Sequence, residues 1–140
     1  RKLKMVDKVI EACGGSVEGK TIAVLGLTFK PETDDMRDAP SLDIVPGLIA
    51  KGAKIRAHDP QGMKEARHLL PDTVTYCDGA YDAGKGADAV VIITEWNAYR
   101  ALDLQRLKQT LKTPVLVDLR NIYEPAEVAR QGFTYVSVGR

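Results

Sequence analysis

The 140-residue sequence predicts an α/β fold, with a mostly parallel sheet flanked by helices in three layers. Three observations carry that expectation. Short apolar runs rich in branched residues alternate with segments of helical periodicity, as in a chain of strand–helix–strand units. The runs are continuously apolar rather than alternating, as strands buried on both faces are. The helical segments, roughly 8–12 residues long, suit the crossovers between parallel neighbours.

The elements follow in order. Leu3, Val6, Val9, Ile10 and Cys13 recur at helical spacing, and Gly14-Gly15 stops the pattern. Thr21–Leu25 reads as a buried strand ended by Gly26. Gly26 to Asp38 is a polar loop, after which Pro40 suits the first turn of a helix. Leu42, Val45, Leu48 and Ile49 give that helix an apolar face. Pro46 is expected to kink it or weaken one backbone bond, and Gly52 closes it. The unit then repeats: a strand at Lys54–His58, the turn Asp59-Pro60, a helix over Met63–Leu70 stopped by Pro71, and a short strand around Val74. A helix over Asp78–Lys85 leads into Ala89–Ile93, the most apolar strand. A helix opened by Asp103 runs through Leu111, and Val115–Val117 is a strand. A helix over Pro125–Arg130 and a last strand over Phe133–Val136 complete the series. The sum is a Rossmann-like, doubly wound domain.

Bulk properties narrow the function. The formal net charge is +1, so no strong field invites nucleic acid or an anionic membrane, and a bound anion must be held by local groups. The longest apolar run is far too short to span a bilayer. Cys13 and Cys77 sit in neither a CxxC nor a Cys/His ligand spacing, which favours plain thiols and agrees with a reducing cytoplasm. No residues suggest a metal site or a catalytic triad. The sequence lacks an initiator Met, and Arg1-Lys2-Leu3-Lys4 runs straight into a helical pattern, which reads as a cut inside a longer protein.

In doubly wound sheets ligands bind beyond the carboxyl ends of the strands. That directs attention to the loops Gly26–Asp38, Asp59–Gly62, Thr94–Tyr99 and Asp118–Tyr123. A dinucleotide turn would read GxGxxG, but the first loop reads Gly26-Leu27-Thr28-Phe29-Lys30-Pro31, with one glycine only. NAD is therefore not expected to bind here in the usual way. Lys30 and Arg37 could meet phosphate, or could pair with Asp34, Asp35 or Asp38 on the surface. Asp38 also fits a helix N-cap ahead of Pro40. Arg120 projects from a strand's carboxyl end, where ligand contact and plain solvation are equally open. Asp59 stands where a Rossmann acid would read a ribose, but without the glycines the turn is the favoured role. Packing is the favoured role for Trp96.

The stretch from Gly26 to Ser41, Gly-Leu-Thr-Phe-Lys-Pro-Glu-Thr-Asp-Asp-Met-Arg-Asp-Ala-Pro-Ser, closely resembles the opening motif of the C-terminal domain in UDP-glucose/GDP-mannose dehydrogenases. His58-Asp59-Pro60, Thr94-Glu95-Trp96 and Asp118-Leu119-Arg120 fall in the family's order, and the similarity runs from Lys20 to Gly139. The resemblance implies that residues 1–16 end an interdomain helix and that 17–140 form the domain gripping the nucleotide sugar. It implies that Phe29, Lys30 and Arg120 contact the UDP-sugar and that Arg37 reaches NAD, with Arg120's detailed role less tightly defined. These implications reverse the surface-pairing reading of Lys30 and Arg37. The full-length enzyme implied is cytoplasmic and homodimeric, and oxidises UDP-glucose to UDP-glucuronate with two NAD through a cysteine thioester. Neither Cys13 nor Cys77 matches the family's GxCxxKD-type motif, so no catalytic residue is assigned and the fragment alone is expected to be inactive. The alternatives are a UDP-N-acetylmannosamine or GDP-mannose enzyme of the same family and a non-catalytic nucleotide-binding module.

Overall fold

A computed structural model describes residues 2–138, with side chains from residue 4 onward. Arg1, Gly139 and the Leu3 side chain lie outside the described residues. The elements are α1 (Lys2–Ala12), β1 (Thr21–Leu25), α2 (Ser41–Ala50), β2 (Lys54–His58), α3 (Met63–Arg67), β3 (Thr75–Tyr76) and α4 (Ala80–Gly84). There follow β4 (Ala89–Ile92), α5 (Asn97–Arg100), α6 (Leu104–Thr110), β5 (Val115–Asp118), α7 (Pro125–Arg130) and β6 (Thr134–Ser137). The strands form one sheet in the order β3-β2-β1-β4-β5-β6, and every pairing is parallel. This is the doubly wound order, with its switch point between β1 and β4.

The apolar runs divide between two cores. In β1, Ile22 and Val24 face one layer while Ala23 and Leu25 face the other. Likewise Ala89 and Val91 oppose Val90 and Ile92 in β4, and Val115 and Val117 oppose Leu116 in β5. One layer is closed by Val6 and Val9 of α1, Ile44, Val45 and Leu48 of α2, and Ala66 of α3. The other is closed by Ala80 and Ala83 of α4, Tyr99 of α5, Leu104 and Leu107 of α6, and Val128 of α7. A strand buried on both faces needs apolar residues at every position, which is why these three read so clearly.

Several local expectations are corrected. Helix α2 runs unbroken past Pro46, whose missing N–H costs it one bond to the Leu42 carbonyl. At the neighbouring Gly47 a Cβ would lie 2.9 Å from a Val6 methyl, so α1 presses closely on α2 there. Asp38 is not the N-cap. Pro40 holds that position without a side-chain cap, and Asp38 is exposed in the left-handed region at φ 57°. Helix α3 ends at Arg67 rather than Leu70, and α5 is an additional turn inside the expected loop 94–99. Asp103 does cap α6, accepting from the Arg106 N–H.

Candidate functional site

The carboxyl ends of β1, β2, β4 and β5 lie on one edge of the sheet and are tied to one another. The chain leaves β1 at Gly26, with φ 94°. A Cβ there would stand 2.5 Å from both the Cβ and the backbone nitrogen of Thr94, so only glycine permits this approach of the β1 and β4 loops. The Thr94 hydroxyl donates to the Thr28 carbonyl at 2.8 Å, and the Ser41 hydroxyl donates to the Leu27 carbonyl at 2.6 Å. The Phe29 N–H donates to the Asp35 carbonyl at 2.9 Å, folding the loop back on itself.

Beneath this loop lies Asp59, with no solvent exposure. Its Oδ1 accepts from the Gln61 and Gly62 N–H groups at 2.9 and 2.7 Å, which is the turn expected from the sequence. Its Oδ2 reaches the first loop, accepting from the Leu27 and Thr28 N–H groups at 2.7 and 3.1 Å. The Trp96 indole N–H lies 3.3 Å from both Asp59 Oδ2 and the Thr28 hydroxyl, so Trp96 packs over the joint. The switch-point crevice, where a dinucleotide would lie in a Rossmann domain, is thus filled by Thr94, Trp96 and Thr28. The acid at the end of β2 faces inward.

From this fixed base the expected ligand groups project outward. Phe29 is 48% exposed, unusual for a phenylalanine, and Lys30 beside it is exposed. Lys30 pairs with no carboxylate among the described residues. Arg37 does pair locally: its Nε and Nη2 donate to the two oxygens of Asp35, each at 3.0 Å. These hydrogen bonds hold the Asp35 carboxyl down at about 2. The Arg37 side chain is nevertheless 89% exposed. The cavity of about 700 Å³ beside this loop is lined by Arg37 but also by Asp34, Asp35 and Glu65, a poor electrostatic host for a diphosphate. Neither Phe29 nor Lys30 lines it.

Arg120 leaves the end of β5 and donates through Nε and Nη2 to Glu95 Oε2, at 3.1 and 2.5 Å. Burial is the largest single influence on Glu95 and opposes its ionisation, but the Arg120 hydrogen bond, a backbone hydrogen bond and the charges of Arg120 and Arg100 together hold the carboxyl below its ordinary value. Glu95 Oε1 is buried without a hydrogen-bond partner among the described residues. The loop is shaped by buried Asp118, which accepts from the N–H groups of Arg120, Ile122 and Tyr123 and from the Tyr135 hydroxyl. Asn121, at φ 55°, clasps the Val138 backbone through both ends of its amide.

Sequence reasoning missed the load carried by Asp59, Thr28 and Tyr99. The Tyr99 hydroxyl donates to the His58 carbonyl and lies 2.9 Å from His58 Nδ1. Burial pushes the His58 imidazole down and the Tyr99 phenol up. The Asp-Pro-Gln-Gly turn signalled one half of Asp59's bonding. The other half joins residues more than thirty positions apart and has no local signature. No cluster of three metal-binding side chains occurs among the described residues, and no helix there is long and apolar enough to cross a membrane.

The fold and this edge define a Rossmann-like domain whose switch-point crevice is occupied by its own side chains and whose exposed cations, Lys30, Arg37 and Arg120, stand on the neighbouring loops. The model of the UDP-glucose/GDP-mannose dehydrogenase family, UDP binding domain, matches residues 23–125, and the chain belongs to that family. It is 56% identical over its whole length to a UDP-glucose 6-dehydrogenase of Rhizobium meliloti (strain 1021), of which it covers 32%. A UDP-glucose dehydrogenase structure from Pyrobaculum islandicum superposes with TM-score 0.78 at 31% identity, covering 96% of this chain and 29% of that one. A structure of NDP-N-acetyl-D-galactosaminuronic acid dehydrogenase from Methanosarcina mazei Go1 superposes with TM-score 0.86 at 29% identity, covering 99% and 29%. The chain thus spans about a third of the length of the curated relatives it matches.

Proposed function

We propose that this chain is the sugar-nucleotide half of an NAD-dependent UDP-glucose 6-dehydrogenase, with residues 1–16 ending an interdomain helix and 17–140 forming the binding domain. The observation that carries the reading is the pair Phe29 and Lys30, exposed on a loop whose backbone is tied down beneath them. An exposed ring offers a face for a base or sugar, and an unpaired ammonium offers a point charge for a diphosphate. A nearly neutral domain needs such aimed cations to hold an anion. Identity of 56% to a UDP-glucose 6-dehydrogenase supports that sugar nucleotide over others.

In this reading Arg120 exchanges its hold on Glu95 for the ligand, and Glu95 Oε1 accepts from a ligand hydroxyl. Arg37, exposed on the far side of the same loop, reaches toward NAD held by a preceding domain. Neither thiol here serves as the nucleophile: burial pushes both Cys13 and Cys77 up, away from thiolate character. The whole enzyme is read as a cytoplasmic homodimer. The test is NAD reduction by the full-length protein with UDP-glucose, UDP-N-acetylmannosamine and GDP-mannose. Turnover on UDP-glucose is expected to exceed the others by at least about a hundredfold in kcat/KM. Preference for another sugar nucleotide would move the assignment within the family, and turnover on none would remove it.

A further inference from the structure

We infer that Asp59 is the positioning residue for Lys30: a buried carboxylate that sets where the loop presents its ammonium, without itself touching ligand. The inference rests on the reading of Lys30 as the cation that meets the sugar nucleotide. Both oxygens of Asp59 are committed to backbone donors, Oδ1 to Gln61 and Gly62 and Oδ2 to Leu27 and Thr28. The Thr28 hydroxyl lies 3.1 Å from Asp59 Oδ2 and 3.1 Å from the Lys30 carbonyl, two acceptors that divide its one proton, so the hydroxyl sits between the carboxylate and Lys30's own backbone. The Thr28 methyl is seated against Gly62, where a Cβ would come within 2.4 Å of it. The end of β2 therefore fixes residues 27, 28 and 30 together. The acid that could have read a ribose here is spent on loop geometry instead.

The bonding pattern makes a sharp test, because a carboxamide fits in neither orientation. Asp59→Asn keeps the shape, yet whichever way the amide turns, its NH₂ faces two backbone N–H donors. In the full-length dehydrogenase, titration calorimetry with UDP-glucose in the absence of NAD is expected to show Asp59→Asn weakening affinity by about tenfold or more. The same substitution on a Lys30→Ala background is expected to change affinity by less than about threefold, since the ammonium being positioned is gone and only the Phe29 contact on the same loop is left to lose. Thr28→Val removes the bridging hydroxyl but leaves the four backbone bonds of Asp59. It is expected to show the same non-additivity at smaller size, which keeps the test open if Asp59→Asn does not fold. In steady state the losses belong in KM for UDP-glucose, with kcat at saturation and KM for NAD within about threefold of the parent.

Additive losses for the double variant would overturn the inference, because a scaffold role acts whether or not Lys30 is present. So would a folded Asp59→Asn enzyme with unchanged affinity. If Lys30→Ala alone leaves affinity unchanged, the underlying reading of Lys30 fails, and that result is distinct from additivity.

Discussion

The Lys30 loop and the Arg120 loop solve the same problem in different ways. Each leaves the carboxyl end of a central strand, each is shaped by a buried aspartate gathering backbone N–H groups, and each carries an exposed cation. The Arg120 loop is held by Asp118, from its own strand, through residues two to five positions onward. The Lys30 loop is held by Asp59, from the neighbouring strand. Asp118 gathers backbone N–H groups from its own loop only and adds the Tyr135 hydroxyl of β6, while Asp59 gathers backbone N–H groups from two loops and, through Trp96, reaches the loop after β4. The cations differ too. Arg120 is tied to Glu95 and would have to exchange that partner to meet a ligand, whereas Lys30 has no ion-pair partner among the described residues. Fixed backbone with an unpaired head group is preorganisation, which lowers the cost of binding.

The sharpest way to break this comparison is to remove each anchor. Asp59→Ala strands buried donors from two loops and is expected to cost about 3–4 kcal/mol. Asp118→Ala is expected to cost about 2–3 kcal/mol, since its backbone donors lie in one partly exposed loop that water can reach and the Tyr135 hydroxyl keeps the Tyr123 carbonyl as an acceptor. Urea unfolding of the 140-residue chain measures both. Equal losses would mean that spanning two strands adds nothing to the anchoring.

A smaller effect sharpens the contrast within the Lys30 loop. Asp35 is pulled down by its Arg37 hydrogen bonds, so its contribution to stability is complete above its ordinary 3.8 and fades as pH falls through about 2. The pair is exposed, so the stability change is slight and the titration itself is the better readout. Carboxyl NMR is expected to place the Asp35 midpoint near 2 in the parent and back toward 3.8 in Arg37→Ala. An unmoved midpoint would show that Arg37 is already free of Asp35 in solution.

How much of this was legible in the sequence depends on where each residue's partners lie. β1, β4 and β5 could be read because burial on both faces writes an unbroken apolar run. β3, with only two residues, could still be placed beside Val74, whereas α5, with four, is too short for a periodic pattern to form. Pro46 argued for a kink or a weakened backbone bond, and the helix continues through it without that bond. At the edge, Phe29, Lys30, Arg37 and Arg120 could be placed on the correct loops from strand ends and motif alone. Their partners could not. Whether Arg37 faced Asp34, Asp35 or Asp38, and whether Arg120 met Glu95, depends on loop geometry and on contacts across the sheet. Asp59 is the clearest case, since one oxygen obeys the local turn that the sequence announces and the other serves a loop about thirty residues upstream.

The central claim is a division of labour on one loop, with Lys30 facing the sugar nucleotide and Arg37 facing NAD. The most direct test is titration calorimetry of the full-length enzyme with UDP-glucose alone, comparing the parent with Lys30→Ala and Arg37→Ala. The account expects Lys30→Ala to weaken UDP-glucose binding by about tenfold or more and Arg37→Ala to leave it within about twofold. Equal affinity in the parent and Lys30→Ala, or a loss confined to Arg37→Ala, would contradict it.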